Sequence, residues 1–594
     1  DNQIFMEKKM LRQAFISLVG TFAVLLPFLA TAAVDLPPSI TIDPGKVEPP
    51  CKFNLPKWRD AQVVEGVQIQ ESRRCLPDNP DLIAAVVKGT NNISMETLME
   101  THLSVDSVIK KDDLDGDGDP DVIIIKLEVF ELNGHTPDFA GLSTTYDIAP
   151  GVQPAMWVFA PKTRGMSTQS FISNEANTTL RAPSPVIRVE QDDIVWLQLE
   201  NSHYFPHTIH LHGVDHPYVD SSGEGNDGVP QTSDKVVMPG SAKTYEFKPR
   251  VPGTFVYHCH VQAHVHIGMG LIGMLVVEEN KPNNWVQTLN VGAGQVRHPS
   301  KGVLADYDSE YDMHYHALDK ELGDIVKEFN DPRLVARKMN REYDLQDATD
   351  EYHLLNGLSF PFTLRESLIV AEPDQNIKMR IFNSSGEMSA MHTHGHKATI
   401  THYDGVEHNP IAQITRDIYD LAPAQRNDLK ISTKNDGFHS YGEGIWIFHD
   451  HREKGITTDG MNPGGGVSAL VYKSYLNENG MPKVQGSDIT PLFTQAFHSR
   501  QYPVWQDFDE WNSLGEPEEV EDEDLGDAFV VPPPKDKNKK TVAATLIATT
   551  DATPVVNFMK GLGAALVVFL LYAFRGKLTG VLSLFGKKGG RKDA

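Results

Sequence analysis

The chain has 594 residues, of which 40% are hydrophobic and 23% charged, a balance that excludes wholly disordered, collagen-like and coiled-coil chains. At roughly 150 residues per folding unit the length allows about four such units and several hydrophobic cores. The formal net charge of −26 repels phosphate backbones, which argues against nucleic acid and favours cationic substrates or basic partners.

The chain opens with Lys8, Lys9 and Arg12, then an apolar stretch over 14–29, then Ala30, Thr31, Ala32 and Ala33. That succession predicts an export signal over 1–33. No Arg-Arg pair precedes the apolar stretch, which favours the general secretory route. Residues 34–130 form an N-terminal region with Cys51 and Cys75. These two can pair in an exported protein, leaving Cys259 alone. With three Cys in all, a disulfide-rich scaffold is excluded, and no CxxCH haem-attachment run occurs. Asp113, Asp115, Asp117, Asp119 and Asp121 stand at alternate positions, with Gly118 sixth in the run. Carboxylates so spaced can wrap one Ca²⁺ in oxygen ligands. The run resembles the calcium loops of FG-GAP and dockerin-type repeats. Ile124 occupies the twelfth position, where an EF-hand needs Glu, so a structural Ca²⁺ loop is expected, with a polar hairpin turn as the plainer alternative.

Residues 131–280 and 351–478 both read as β. Short β-branched runs at 186–189 and 194–199, and again at 368–370 and 377–381, are separated by turn residues. Each region carries a His-x-His-Gly and, later, a second His-x-His, a self-similarity that predicts two copies of one sandwich domain. Between them, 281–350 reads as a linker whose charged part, 311–343, is expected to be helical. Residues 479–554 form an acidic and Pro-rich tether, too polar to bury a core. Residues 555–574 form an apolar segment of roughly 30 Å as a helix, enough for one membrane span. Its one charge, Lys560, can snorkel. The basic tail at 575–594 predicts a cytoplasmic end, which would anchor the body on the periplasmic face of the inner membrane.

The 24 His are the informative feature. The first window is His207-Thr-Ile-His210-Leu-His212-Gly213, and the second is His258-Cys259-His260 followed by His264, His266 and Met269. The third is His392-Thr-His394-Gly395, and the fourth is His449-Asp450-His451. In a strand, positions i and i+2 face one side, so each His-x-His aims two imidazoles at one point. Eight imidazoles exceed what one ion accepts and imply a metal cluster, for which imidazole suits Cu, Zn, Fe and Ni. One Cys, two His and a weak axial Met form the blue-copper electron-transfer set.

These windows resemble the copper motifs of the multicopper oxidases, the laccase-like cupredoxin enzymes, over about half the chain. The resemblance implies an all-β fold of two Greek-key cupredoxin sandwiches, beside the small N-terminal region and the C-terminal membrane helix. It implies type 1 copper on His207, Cys259, His264 and Met269, and type 2 copper on His210 and His392. It implies a type 3 pair on His212, His258, His260, His394, His449 and His451. Asp227 looks like the family's acidic residue near type 2 copper, which helps deliver protons to reduced oxygen, with a simple turn role as the alternative. His203, His216, His266 and His396 exceed the family's ligand count and are read as supporting or surface groups.

Asp450 stands where a second type 1 site would need Cys. Type 1 copper in the first sandwich alone resembles the two-domain multicopper oxidases. In that group the trinuclear site forms between neighbouring chains of a homotrimer; closure within one chain is the alternative. The implied function is oxidation of a reducing substrate, coupled to four-electron reduction of O₂ to water by four coppers. A copper nitrite reductase is a second possibility, but it would leave His212, His260, His394 and His451 idle. A non-enzymatic copper carrier would explain only the second window. No Met-rich segment favours cuprous ion, and a metal ion, a phenol or a cytochrome all remain open as the reductant.

Overall fold

β-branched and aromatic runs buried on both faces build the frame, as in Met156–Pro161, Val186–Glu190 and Ile272–Glu278. In the computed structural model the described residues are two short strands at 62–64 and 67–69 and most of 104–500, with breaks chiefly at 164–180 and 297–305. The export signal, Cys51 and Cys75, the tether beyond residue 500 and the 555–574 segment lie outside them; the first part of the expected tether, 479–500, is corrected, because Leu492 and Phe497 are buried in a core with Phe360, Leu368 and Val471. Among the described residues no helix is long and apolar enough to cross a membrane.

The first sandwich has two sheets. One runs His210–His212, Gly253–His258, Ile272–Glu278, Val186–Glu190, Leu289–Asn290. The other runs Ala242–Phe247, Ile194–Glu200, Val122–Leu132, Val108–Lys111, with Met156–Pro161 also paired to Val122–Leu132. Trp157, Ile187, Leu197, Tyr257, Cys259 and Met269 share the core between them. The sandwich therefore begins near residue 108, not 131. Val122–Leu132 pairs in parallel with Ile194–Glu200 and crosses the expected boundary.

The second sandwich repeats the plan. Ser309–Asp319, Asn376–Asn383, Arg426–Ser432 and Ala398–Tyr403 lie side by side in one sheet. Ile369–Ala371, Ser468–Tyr472, Ile445–Asp450, Ser389–Thr393 and Ile418–Leu421 form the other. This corrects the expected linker. Residues 309–319 are a strand of the sandwich, and helices begin only at Lys320–Glu328 and Pro332–Arg337. The strand looks helical in sequence because Glu310 and Asp312 are charged, yet both are buried.

Their partners explain that burial. Arg188, from the first sandwich, and Arg380, from the second, are buried at the junction. Arg188 reaches Asp312 at 2.6 and 2.7 Å and Glu310 at 3.2 Å. Arg380 reaches Asp428 at 2.6 Å, Thr254 Oγ1 at 2.8 Å and Glu278 at 3.3 Å. Buried charges are tolerated when each is paired and hydrogen-bonded, as here. The two helices and the helical turn Lys338–Glu342 after them pack elsewhere, on the first sandwich. Leu322, Val326, Val335 and Met339 join the core that holds Cys259, Val265 and Met269.

Candidate metal centres

The histidine windows are adjacent strands. His210–His212 pairs antiparallel with Gly253–His258, setting His210 opposite His258. Ser389–Thr393 pairs antiparallel with Ile445–Asp450, setting His392 opposite His449. Each His-x-His thus meets a second one from its neighbour. The glycine after each first pair is required by the turn: Gly213 and Gly395 have φ of 75° and 63°. A Cβ on Gly395 would lie 2.3 Å from the Trp446 ring.

The first cluster holds His210, His212, His258 and His260. His212 Nε2 and His258 Nε2 stand 2.9 Å apart, and the His210 ring lies 5.2–5.3 Å from those of His212, His258 and His260. His210 Nδ1 donates to the Asp227 carbonyl at 2.7 Å, and His258 Nδ1 donates to the Cys259 carbonyl at 2.9 Å. Those bonds fix the tautomer that leaves Nε2 bare, as metal binding requires. Burial, reinforced by the neighbouring imidazoles, lowers His258 to about 3 and His212 to about 4. Both rings are therefore neutral donors at neutral pH.

The second cluster holds His392, His394, His449 and His451. His394 Nε2 and His449 Nε2 are 3.3 Å apart, and His392 lies 4.7 Å from His394 and 5.5 Å from His451 between ring centres. His392 and His449 donate from Nδ1 to the carbonyls of Asp417 and Asp450 at 3.0 and 2.9 Å. No hydrogen bond or ring contact joins the two clusters within the chain among the described residues.

Cys259 is fully buried, which pushes its thiol up to about 12. His266 Nδ1 lies 3.2 Å and His207 Nδ1 3.6 Å from its sulfur. Met269 is buried in the same core. This donor set, two imidazoles and a thiol in a core shared with Met269, suits copper. The expected His264 is corrected: it is exposed, and His266 takes its place beside the sulfur. After Cys259 the chain turns through a left-handed Gln262 into the helical turn Ala263–His266. Residues two apart on a helix point roughly 200° from each other, so only one of the two His can face inward.

Supporting groups surround this site. His203 Nδ1 lies 2.9 Å from His207 Nε2. The Trp157 ring meets His203 and His266 edge-on at 4.9 and 5.2 Å. Glu131 Oε2 accepts from Trp157 Nε1 at 2.9 Å and from the Tyr204 hydroxyl. Sequence patterns gave no hint of Glu131 or Trp157, which lie on strands outside the windows. Asp227 Oδ1 stands 2.9 Å from His216 Nε2 and 3.3 Å from His210 Nδ1. His396 Nε2 bonds the Tyr472 hydroxyl at 2.9 Å.

In the acidic loop, Asp113, Asp115 and Asp117 bring oxygens within 4.8 Å of one another. The other two members brace the loop instead. Asp121 accepts from the backbone N–H of Leu114 and Asp115, and Asp119 accepts from the N–H of Asn284 at 2.7 Å.

Paired four-imidazole clusters on duplicated sandwiches, beside a buried thiol with two imidazoles, define a copper protein of the cupredoxin class. Multicopper oxidase family models match residues 167–282 and 334–462, and together they support a multicopper oxidase. It is 23% identical over 277 residues to copper resistance protein A of Escherichia coli, covering 44% of each chain. It is 28% identical over 195 residues to human hephaestin, covering 30% of this chain and 15% of that one. The chain thus spans less than half the length of these relatives. The solved multicopper oxidase mgLAC aligns over 65% of this chain and 97% of its own, at 23% identity and a TM-score of 0.44.

Proposed function

We propose that the protein is an oxidase that takes single electrons from a reductant beside Cys259 and passes them to dioxygen, which is reduced to water at the histidine clusters. Copper, when bound, supplies the one-electron redox steps and the storage of four electrons that dioxygen needs. The observation that carries this reading is the continuity of Cys259 with both kinds of site. Its sulfur faces His207 and His266, while His258 and His260 on either side belong to the first four-imidazole cluster. An electron arriving at the thiolate has a covalent route of a few bonds to that cluster. A nitrite reductase-like enzyme would need only three of the imidazoles beyond the Cys259 site, whereas this chain carries eight, four in each cluster.

The chain's own residues prepare the reaction. Carbonyls of Asp227, Cys259, Asp417 and Asp450 hold four imidazoles in the metal-binding tautomer. Asp227, touching His210 and His216, is positioned to carry protons to the oxygen being reduced. Among the described residues no hydrogen bond or ring contact joins the two clusters, and both have exposed apolar residues at their edges. Ile418 and Ile447 flank His392 and His449, and Tyr218 and Val219 adjoin Asn226 and Asp227. Exposed apolar groups around half of a site fit a second copy of the chain, in a closed homotrimer that joins one cluster to the other. Asp113, Asp115 and Asp117 would hold a structural Ca²⁺.

Copper analysis with sedimentation tests this reading. About four coppers per chain, a blue chromophore and a trimer are expected, and Cys259→Ser should lose the colour and the oxidation of reductants. About two coppers per chain, or a C259S variant that still oxidises reductants at the full rate, would overturn it.

A further inference from the structure

The two sandwiches anchor their histidine pairs differently. His258 and His260 flank Cys259, whose sulfur faces His207 Nδ1 at 3.6 Å. His449 and His451 flank Asp450 instead, and Ser389 stands where His207 does, three residues before the first His of its His-x-His pair. Asp450 is only 4% exposed, yet its carboxylate is well provided with donors. Oδ1 accepts from the backbone N–H of Ala390 and of Arg452, both at 3.0 Å, and Oδ2 accepts from Arg452 Nε at 2.9 Å. Arg452 Nη1 in turn donates to Glu387 at 2.5 Å. The Ala390 carbonyl accepts from the His451 N–H at 2.7 Å, so Ala390, two residues before His392, is held from both sides. A Cβ on Gly455 would lie 2.7 Å from Asp450 Oδ2, so the turn Glu453–Ile456 closes over the carboxylate.

We infer that Asp450 is the positioning residue of the second histidine cluster: its carboxylate, rather than a metal ion, clamps the strand carrying His449 and His451 to the strand carrying His392 and His394. The inference rests on reading that cluster as a copper site, and it is independent of the reductant and of the electron route. A carboxylate leaves water only where hydrogen bonds and a cation replace its hydration. The Asp450 carboxylate is therefore stable only while the Ala390 amide and Arg452 stay in place, and bonds to a charged acceptor are about twice as strong as neutral ones. The same residue acts through its backbone, because its carbonyl accepts from His449 Nδ1 at 2.9 Å. Successive side chains of a strand face opposite sides, so the carboxylate works from behind the imidazoles and leaves their metal-binding side open. The consequence is a difference in timing. His207 and Cys259 close on each other around an ion, whereas the Asp450 clamp is complete before any ion arrives. Imidazoles held in advance lose less freedom when they bind metal, which raises affinity.

The test strips the full chain of metal, reloads it with Cu²⁺ and titrates it with a competing chelator. Blue absorption follows the copper at Cys259, and total copper retained on the chain gives the non-blue remainder. In D450N the side chain keeps its shape, but its single oxygen cannot serve both Ala390 and Arg452 Nε, and its amide N–H₂ opposes one of them. Non-blue copper should then leave at chelator concentrations about 10–100-fold lower than in the unaltered chain, the scale for losing a group that supports metal ligands. Blue copper should leave at an unchanged concentration. G455A, whose Cβ presses on the carboxylate, should shift non-blue copper in the same direction by a smaller factor, and it decides the matter if D450N does not fold. Unchanged release of non-blue copper in the folded variant would overturn the inference alone. Equal losses of blue and non-blue copper would also overturn it, because Asp450 would then support the fold in general. An unaltered chain that binds only blue copper would overturn the reading of the cluster as a copper site, and this inference with it.

Discussion

Arg188 grips both oxygens of Asp312 across the junction of the two sandwiches, at 2.7 and 2.6 Å, with all the atoms involved shut away from water. The pair belongs to a network with Glu310, Glu278, Arg380 and Asp428. Such a network need not be more stable than an apolar junction, but removing one member strands the rest. Arg188→Met should therefore destabilise the chain by roughly 3–5 kcal/mol, seen as a lower urea midpoint. A loss below about 1 kcal/mol would mean that water or rearrangement reaches the junction.

The buried pairing also explains what could be read from the sequence and what could not. The His-x-His windows were legible because a strand's two-residue period puts both imidazoles on one side, whatever surrounds them. The strand Ser309–Asp319 was not, since its acids are neutralised by Arg188 and Arg380, which lie far away in the chain. Val122–Leu132 joins the first sandwich by pairing with Ile194–Glu200, and Val108–Lys111 follows by pairing with Val122–Leu132, long-range links that the sequence of 34–130 does not announce. Glu131 and Trp157 had no motif to mark them. They matter only because the fold sets them against Tyr204 and His203.

The exchange of His266 for His264 is directly testable. If His266 completes the Cys259 site, His266→Ala should bleach the blue absorption and lower the copper content by about one per chain, whereas His264→Ala should keep both. The reverse pattern would show that the family spacing, with the ligand five positions after Cys, overrides the local helical turn.

Metal-free protein should weaken in mild acid. The folded-state values of His212 and His258, about 4 and about 3, lie below the ordinary 6.5 because burial disfavours the charged ring. Below pH 6.5 the unfolded chain takes up protons that these folded rings refuse, so stability falls as pH drops from 6.5 toward 4. Glu190, pushed up to about 9 by burial, acts in the opposite direction. Comparing metal-free wild type with H212N/H258N cancels that contribution. Wild type should lose more stability than the double variant between pH 6.5 and 4, measured by urea midpoints. Equal losses would mean that the two rings are already solvated.

Asp227 offers the sharpest separation of electron entry from oxygen chemistry. Its backbone carbonyl fixes the His210 tautomer, while its carboxylate touches His216. Asp227→Asn keeps the carbonyl and the side-chain shape, so the His210 orientation survives, but the carboxylate proposed to exchange protons is gone. Proton transfer by a positioned side chain is worth roughly 10²–10⁴ in rate. Steady-state oxygen uptake by D227N should fall by at least about 10²-fold. Reduction of the blue chromophore in an anaerobic single turnover should proceed at the wild-type rate, because that step precedes any protonation of oxygen. A variant with full oxygen uptake would make Asp227 a turn residue that serves His210 through its backbone alone. Slowed bleaching would instead point to damage reaching the Cys259 site through the strand His210–His212.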